Sequence, residues 1–207
     1  MRRYDVLLAG IGGQGVITLG TLLKLAALRE GVDVAGAERR GGAQREGPVT
    51  SNVRYRLLTD EERGDPRKAA FSGAIPRGGA HLLLALEPLE AVRSLSYANA
   101  ETVIVTVVTP RVPTAVRLGT AVYPPLESLW DMLREVTPRV YPVDLEGLTR
   151  RGFGDLRRLN VVALGLASAL GDLPVSAEAL LDVVRDRLPG FEDNRRAFEL
   201  GHEAAGV

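Results

Sequence analysis

Residues 4–20 read YDVLLAGIGGQGVITLG, a short apolar run that stops at a cluster of glycines and resumes with helical spacing. YDVLLAG, with an aromatic and a β-branched member, predicts a buried first strand. From Val16 to Glu30, the residues Ile17, Leu19, Leu22, Leu23, Leu25, Ala26 and Leu28 cover one broad helical face, and Gly31 stands where a left-handed C-cap is expected. Strand, glycine turn and helix in this order open an α/β domain. Gly10, Gly12 and Gly15 satisfy the spacing G-x-G-x-x-G, in which missing Cβ atoms let a phosphate approach the N–H groups of a helix start. Gly13 and Gln14 crowd the same turn, and a left-handed backbone is expected at Gly12 or Gly13. VDVAGAE predicts a second strand that puts Glu38 where a ribose-binding acid would stand, so one reading is an NAD(P)-binding Rossmann oxidoreductase.

The rest of the chain continues the α/β pattern. VTSNVRYRL alternates with period two and predicts a half-exposed strand, whereas HLLLALEP and TVIVTVVTP are continuous apolar runs, as expected of strands covered on both faces. Residues 59–79 are rich in charge, glycine and proline and read as an exposed excursion. VPTAVRLGTAVYPP, residues 112–125, is similar and is expected to add one short edge strand. VYPVD predicts a last strand. Three helical patterns follow, LRRLNVVALGLASAL, SAEALLDVVRDRL and FEDNRRAFELGHEAA, the second capped by Ser176. The fold class is a doubly wound α/β domain with a mostly parallel sheet, a Rossmann-like start and C-terminal helices. It forms one domain over residues 1–207, with 155–207 as a helical tail.

Composition narrows the function. Acidic and basic residues balance at 26 each, so no net field draws the chain to nucleic acid or to an acidic membrane. No apolar stretch is long enough to span a bilayer, and no cleavage-site pattern follows the N-terminus, which predicts a soluble, cytoplasmic protein. There is no cysteine, hence no thiolate for an iron–sulfur cluster. His81, at the start of a buried strand, and His202, in a terminal helix, have no second ligand at metal spacing. Trp130, Met132 and Leu133 read as core or subunit interface.

The stretch AERRGGAQREGPVTSNVRY, residues 37–55, places Arg39, Arg40 and Arg45 around Gly41, Gly42 and Gly47. Guanidinium donors and open backbone in one loop suit a phosphate, a carboxylate or an acidic partner, so a small-anion-binding regulatory module is a second reading. Loops after the first two strands of a parallel sheet emerge at one edge, which predicts that residues 39–48 pack beside the Gly12–Gly15 turn. Arg40 and Arg45 are the candidates for charge-assisted bonds there, and Gln44 for donation to a carbonyl.

GIGGQGV followed after one helix and one strand by GGAQREGPVTSNVRY resembles the gamma component of the 2-oxoacid:ferredoxin oxidoreductases, and within them the indolepyruvate branch. LLLALEPLEAVR at 82–93, NVVALG at 160–165 and NRRAFELG at 194–201 extend the likeness over almost the whole chain. The chain departs from the family pattern at Glu46, where a glycine is usual, and at His81, where an aspartate is usual. The resemblance implies a non-catalytic subunit of an enzyme that oxidatively decarboxylates a 2-oxoacid to an acyl-coenzyme A and passes electrons to ferredoxin. Thiamine diphosphate and iron–sulfur clusters are then expected in a large catalytic partner, with coenzyme A at the shared interface as in some members. The Gly-Asp pairs of this chain, Gly64-Asp65, Gly154-Asp155 and Gly171-Asp172, are followed by proline or leucine and do not continue into the thiamine-diphosphate signature. The chain alone is expected to bind none of these cofactors.

Overall fold

A computed structural model of the chain describes residues 2–41, 47–59, 62 and 71–206. Strand β1 (Arg2–Ile11) leads through the glycine turn into helix α1 (Val16–Arg29), whose C-terminal turn closes on Gly31 with φ 66°. Strands β2 (Asp33–Arg40) and β3 (Pro48–Leu57) form a hairpin, and β4 (Leu82–Ala85), α2 (Pro88–Arg93) and β5 (Val103–Val107) follow. A short helix, α3 (Thr114–Arg117), then α4 (Leu126–Arg134), β6 (Val140–Val143) and α5 (Leu145–Phe153) complete the α/β part. Helices α6 (Leu159–Leu170), α7 (Ala177–Arg187) and α8 (Phe191–Glu203) end it. Ser176 caps α7 by accepting from Ala179 N at 3.0 Å.

The six strands lie in the order β2-β3-β1-β4-β5-β6, with β1, β4, β5 and β6 parallel and β3 antiparallel to both its neighbours. Alternation sends Val6 and Leu8 of β1, Leu82 and Leu84 of β4, and Val103, Val105 and Val107 of β5 to one face, where α1, α6, α7 and α8 cover them. Leu7, Ala9, Leu83, Ala85 and Ile104 face the other way, against Ala91 of α2 and Leu129, Trp130 and Leu133 of α4. The apolar runs are continuous because both faces are covered. Val161, Val162, Ala163 and Leu164 of α6 belong to the first of these clusters, so the C-terminal helices share the core of the sheet. Among the described residues no helix is long and apolar enough to cross a membrane.

Four expectations are corrected. The alternation in VTSNVRYRL is real, but its polar face is not solvated: Arg54 and Arg56 are buried. The sheet register sets Asp5 opposite Arg54 and Asp33 opposite Arg56, and both pairs bond, Arg54 Nε to Asp5 Oδ1 at 2.9 Å and Arg56 to Asp33 at 2.8 Å. Residues 71–79 are likewise not a wholly exposed excursion. Arg54 donates to the carbonyls of Ser72 and Ala74, Ile75 is buried in the second cluster, and the segment lies over β3; most of residues 60–70 fall outside the described part. No edge strand forms among the described residues of 112–125, because Pro113 opens the short helix α3 there and Val112, Leu118 and Val122 are exposed. His81 stands one residue before β4 and is exposed: its Nδ1 accepts from Asp5 N at 3.0 Å and its ring stacks on Tyr4. Of Trp130, Met132 and Leu133, read as core or subunit interface, Trp130 and Leu133 are core and Met132 is half-exposed.

Candidate functional site

The carboxyl edge of the sheet gathers the turn after β1, both ends of the β2–β3 connection, and the segments after β4, β5 and β6. The chain leaves β1 toward β3 on one side and returns as β4 on the other, so the crevice between β1 and β4 is the topological switch point, where open α/β folds place their sites. Gln14 closes it. Its Oε1 accepts from Ile11 N at 2.8 Å and its Nε2 donates to Leu86 O at 2.6 Å, tying the glycine turn to the end of β4. Gly10 lies beneath this carboxamide, and a Cβ there would meet Gln14 Oε1 at 2.8 Å.

The left-handed positions are Gly13, φ 94°, and Gly15, φ 78°, rather than Gly12. They differ in surroundings. A Cβ on Gly13 would meet nothing within 4 Å, whereas one on Gly15 would lie 1.9 Å from Asn160 Nδ2, at the start of α6. The close approach of α6 therefore adds to the need for glycine at the N-cap of α1.

The two ends of the 39–48 loop do lie beside the turn. Gly12 N donates to Gly47 O at 2.9 Å, Gly41 N donates to Pro48 O at 2.7 Å, and Arg40, Gly41 and Gly47 line a cleft of about 500 Å³ with Gly12, Gly13 and Gly15. Arg40 is 70% exposed and reaches Glu38 only at 3.8 Å, so its guanidinium is open to a further partner. Gln44 and Arg45 lie outside the described residues. Glu38 does not occupy the ribose position: the antiparallel strand β3 is inserted between β2 and β1, and Glu38 pairs with Lys24 of α1 at 3.3 Å. The G-x-G-x-x-G spacing is therefore present without the neighbouring parallel strand that a dinucleotide site requires.

Sequence reasoning missed a polar cluster on the other side of the turn. Glu87 caps α2, accepting from Glu90 N at 3.0 Å with one oxygen, while the other accepts from Tyr123 Oη at 2.7 Å and Arg111 N at 3.3 Å. The Glu-Pro pair at the head of a helix was the available signal, because proline at the first helical position leaves the preceding residue to cap. Glu90, also buried, bonds Arg93 at 2.5 Å; burial raises its carboxyl above the usual range and Arg93 offsets part of that. Burial, then the bond to Glu87, pushes the Tyr123 phenol up as well, so it stays a donor. Arg111 and Glu146 form an ion pair that lines a second cleft of about 330 Å³, together with Gly12, Gly13, Gln14 and Asn160.

A six-stranded, mostly parallel sheet with helices on both faces and a glycine turn at its switch point defines the class, and the sequence places it. Residues 5–204 match the pyruvate ferredoxin/flavodoxin oxidoreductase family, and the chain belongs to that family. It is 33% identical over 205 residues to the indolepyruvate oxidoreductase subunit IorB of Archaeoglobus fulgidus, covering 98% of this chain and 96% of that protein. It is likewise 33% identical to IorB of Thermococcus kodakarensis, over 99% of this chain and 97% of that one. Its fold is shared by the gamma subunit of a keto/oxoacid ferredoxin oxidoreductase from Geobacter sulfurreducens, with TM-score 0.68, 22% identity, and 99% and 97% of the two chains covered. The 2-oxoglutarate:ferredoxin oxidoreductase of Magnetococcus marinus contains the fold within a longer chain, with TM-score 0.70 and 19% identity over all of this chain and 31% of that one.

Proposed function

We propose that this chain is the non-catalytic subunit of a cytoplasmic 2-oxoacid:ferredoxin oxidoreductase that takes indolepyruvate or a related aryl pyruvate to its acyl-coenzyme A. The observation that carries this reading is a family match over residues 5–204 in a chain without a single cysteine. Clusters need thiolate ligands, and the Gly-Asp pairs here do not continue into a thiamine-diphosphate signature, so neither group fits this chain. The large catalytic partner holds both, and ferredoxin is reached through the complex. This chain contributes architecture, and the cleft between the glycine turn and the 39–48 loop is the surface it offers to the partner and to an anionic group of coenzyme A. An exposed Arg40 beside open glycine backbone suits a phosphate, while Glu46 opposes one unless the partner screens it.

The experiment is a titration of the large cluster-bearing subunit with the Arg40→Ala, Arg45→Ala double variant, with and without coenzyme A. Loss of a buried interfacial arginine pair weakens binding by about 2 to 5 kcal/mol. Parental affinity in both titrations would make the loop a solvated turn with no role in assembly.

A further inference from the structure

Residues 108–125 leave the carboxyl edge of the sheet after β5 and return at α4. Both ends of this excursion are fixed to one buried carboxylate, for Glu87 is 2% exposed and accepts from Arg111 N and from the Tyr123 phenol while also capping α2. A buried carboxylate with three donors is costly to undo, so both ends of the excursion are set before any partner arrives. Among the described residues, large apolar side chains stand exposed at Val112, Leu118 and Val122 of this segment, and elsewhere at Leu28, Met132 and Tyr141, each in a different element. Exposure gathered on one segment in this way marks an interaction site, whereas scattered single residues do not. Leu118 is 73% exposed and Val122 90%, on either side of left-handed Gly119, φ 72°. The four-residue helix α3 before that turn is too short to hold itself together in water, and a helix of this length is kept by packing.

Arg111 and Pro113, at the head of the segment, share a small cleft with Ile11, and Arg111 lines the cleft of about 330 Å³ with Gly12 and Gly13. The apolar segment is thus continuous with the glycine turn, the surface this chain offers to its partner on the reading above. Charge disfavours a second copy of this chain as the occupant: residues 108–125 contain arginine and no carboxylate, so a two-fold contact of the segment with itself brings like charges together. We infer that residues 112–122 are a docking surface for the large cluster-bearing subunit, which covers Leu118 and Val122 with an apolar patch of its own. The interface then extends from the glycine turn along the carboxyl edge to this segment. Apolar side chains on a backbone already held in place contribute binding energy at little ordering cost. This docking rests on the subunit reading.

Titration of the large cluster-bearing subunit with the full chain and with its Leu118→Asp and Val122→Asp variants tests this, with Leu28→Asp as the control. Leu28 is 64% exposed at the far end of α1, toward the amino edge of the sheet. Each variant in the segment should bind about tenfold more weakly, or worse, at an unchanged melting temperature, while Leu28→Asp binds as the parent does. In the parental protein, hydroxyl-radical labelling of Leu118 and Val122 should be lost in the complex, a reading that needs no variant to fold. A parent that binds the large subunit with labelling and variant affinities unchanged overturns the docking and leaves the subunit reading intact. A parent that does not bind it overturns both. Self-association of the chain alone that Val122→Asp abolishes, with parental affinity for the large subunit, gives the surface to a second copy and overturns the docking as well.

Discussion

Gly13 and Gly15 share a left-handed backbone but not a neighbourhood, and substitution separates the two causes of their being glycine. Gly13→Ala should cost only the strain of a left-handed L-residue, about 1 to 2 kcal/mol in chemical denaturation, because open space receives the methyl group. Gly15→Ala should cost more, since the methyl group also displaces Asn160. Adding Asn160→Ala should recover that excess and leave the strain; no recovery would mean that α6 does not set the turn. Glu90 carries a pH signature. Its carboxyl is raised by burial in the folded protein, so the native state holds the proton more tightly than the unfolded chain. Its contribution is full below the ordinary glutamate range and is lost as pH rises through the raised value. Stability measured against pH should therefore fall more steeply in the parent than in Glu90→Gln across that interval, and parallel profiles would contradict the assignment. Glycine spacing located the turn, but which glycine is left-handed depends on how α1 and α6 meet it. Asn160 is too distant in sequence for spacing to show that.

Between strands, the same limit appears in β3. Its alternation was legible, yet whether the polar face meets water depends on Asp5 and Asp33 standing in register and on residues 71–79 lying over it, both of which are long-range facts. Asp5→Ala would strand a buried guanidinium and should destabilise by about 3 to 5 kcal/mol. Asp33→Ala should cost less, because the Asp33 side chain is 38% exposed and Arg56 keeps its contact over the Phe71 ring. Equal losses in denaturant titrations would contradict this ordering. Among the helices, α6 and α8 touch backbone to backbone. A Cβ on Gly165 would lie 2.0 Å from Phe198 O and one on Gly201 1.9 Å from Val162 O. Those glycines end NVVALG and NRRAFELG, two of the segments that carry the family likeness, and helix crossing gives the physical reason for them. Gly201→Ala should push the helices apart at about 1 to 3 kcal/mol, read as a lowered melting temperature of about 2 to 4 °C per kcal/mol. An unchanged melting temperature would deny the close crossing.

At the scale of the whole molecule, strand types and most helices were legible because their burial is continuous, and the family was legible from five segments in order. The inserted antiparallel strand was not, because an alternating strand reads the same in either direction and its place between β2 and β1 is set by long-range pairing. That insertion removes Glu38 from the ribose position, and the absence of cysteine removes clusters from this chain. On the proposed reading this chain is a scaffold whose chemistry comes from a partner. The most direct measurement is reconstitution: indolepyruvate- and coenzyme A-dependent reduction of ferredoxin, assayed with this chain alone, with the large cluster-bearing subunit alone, and with the two mixed. No turnover is expected from this chain alone, and full activity only from the mixture, rising to saturation at a fixed ratio of subunits. Turnover by this chain alone, or a large subunit whose activity and stability are indifferent to its addition, would contradict it.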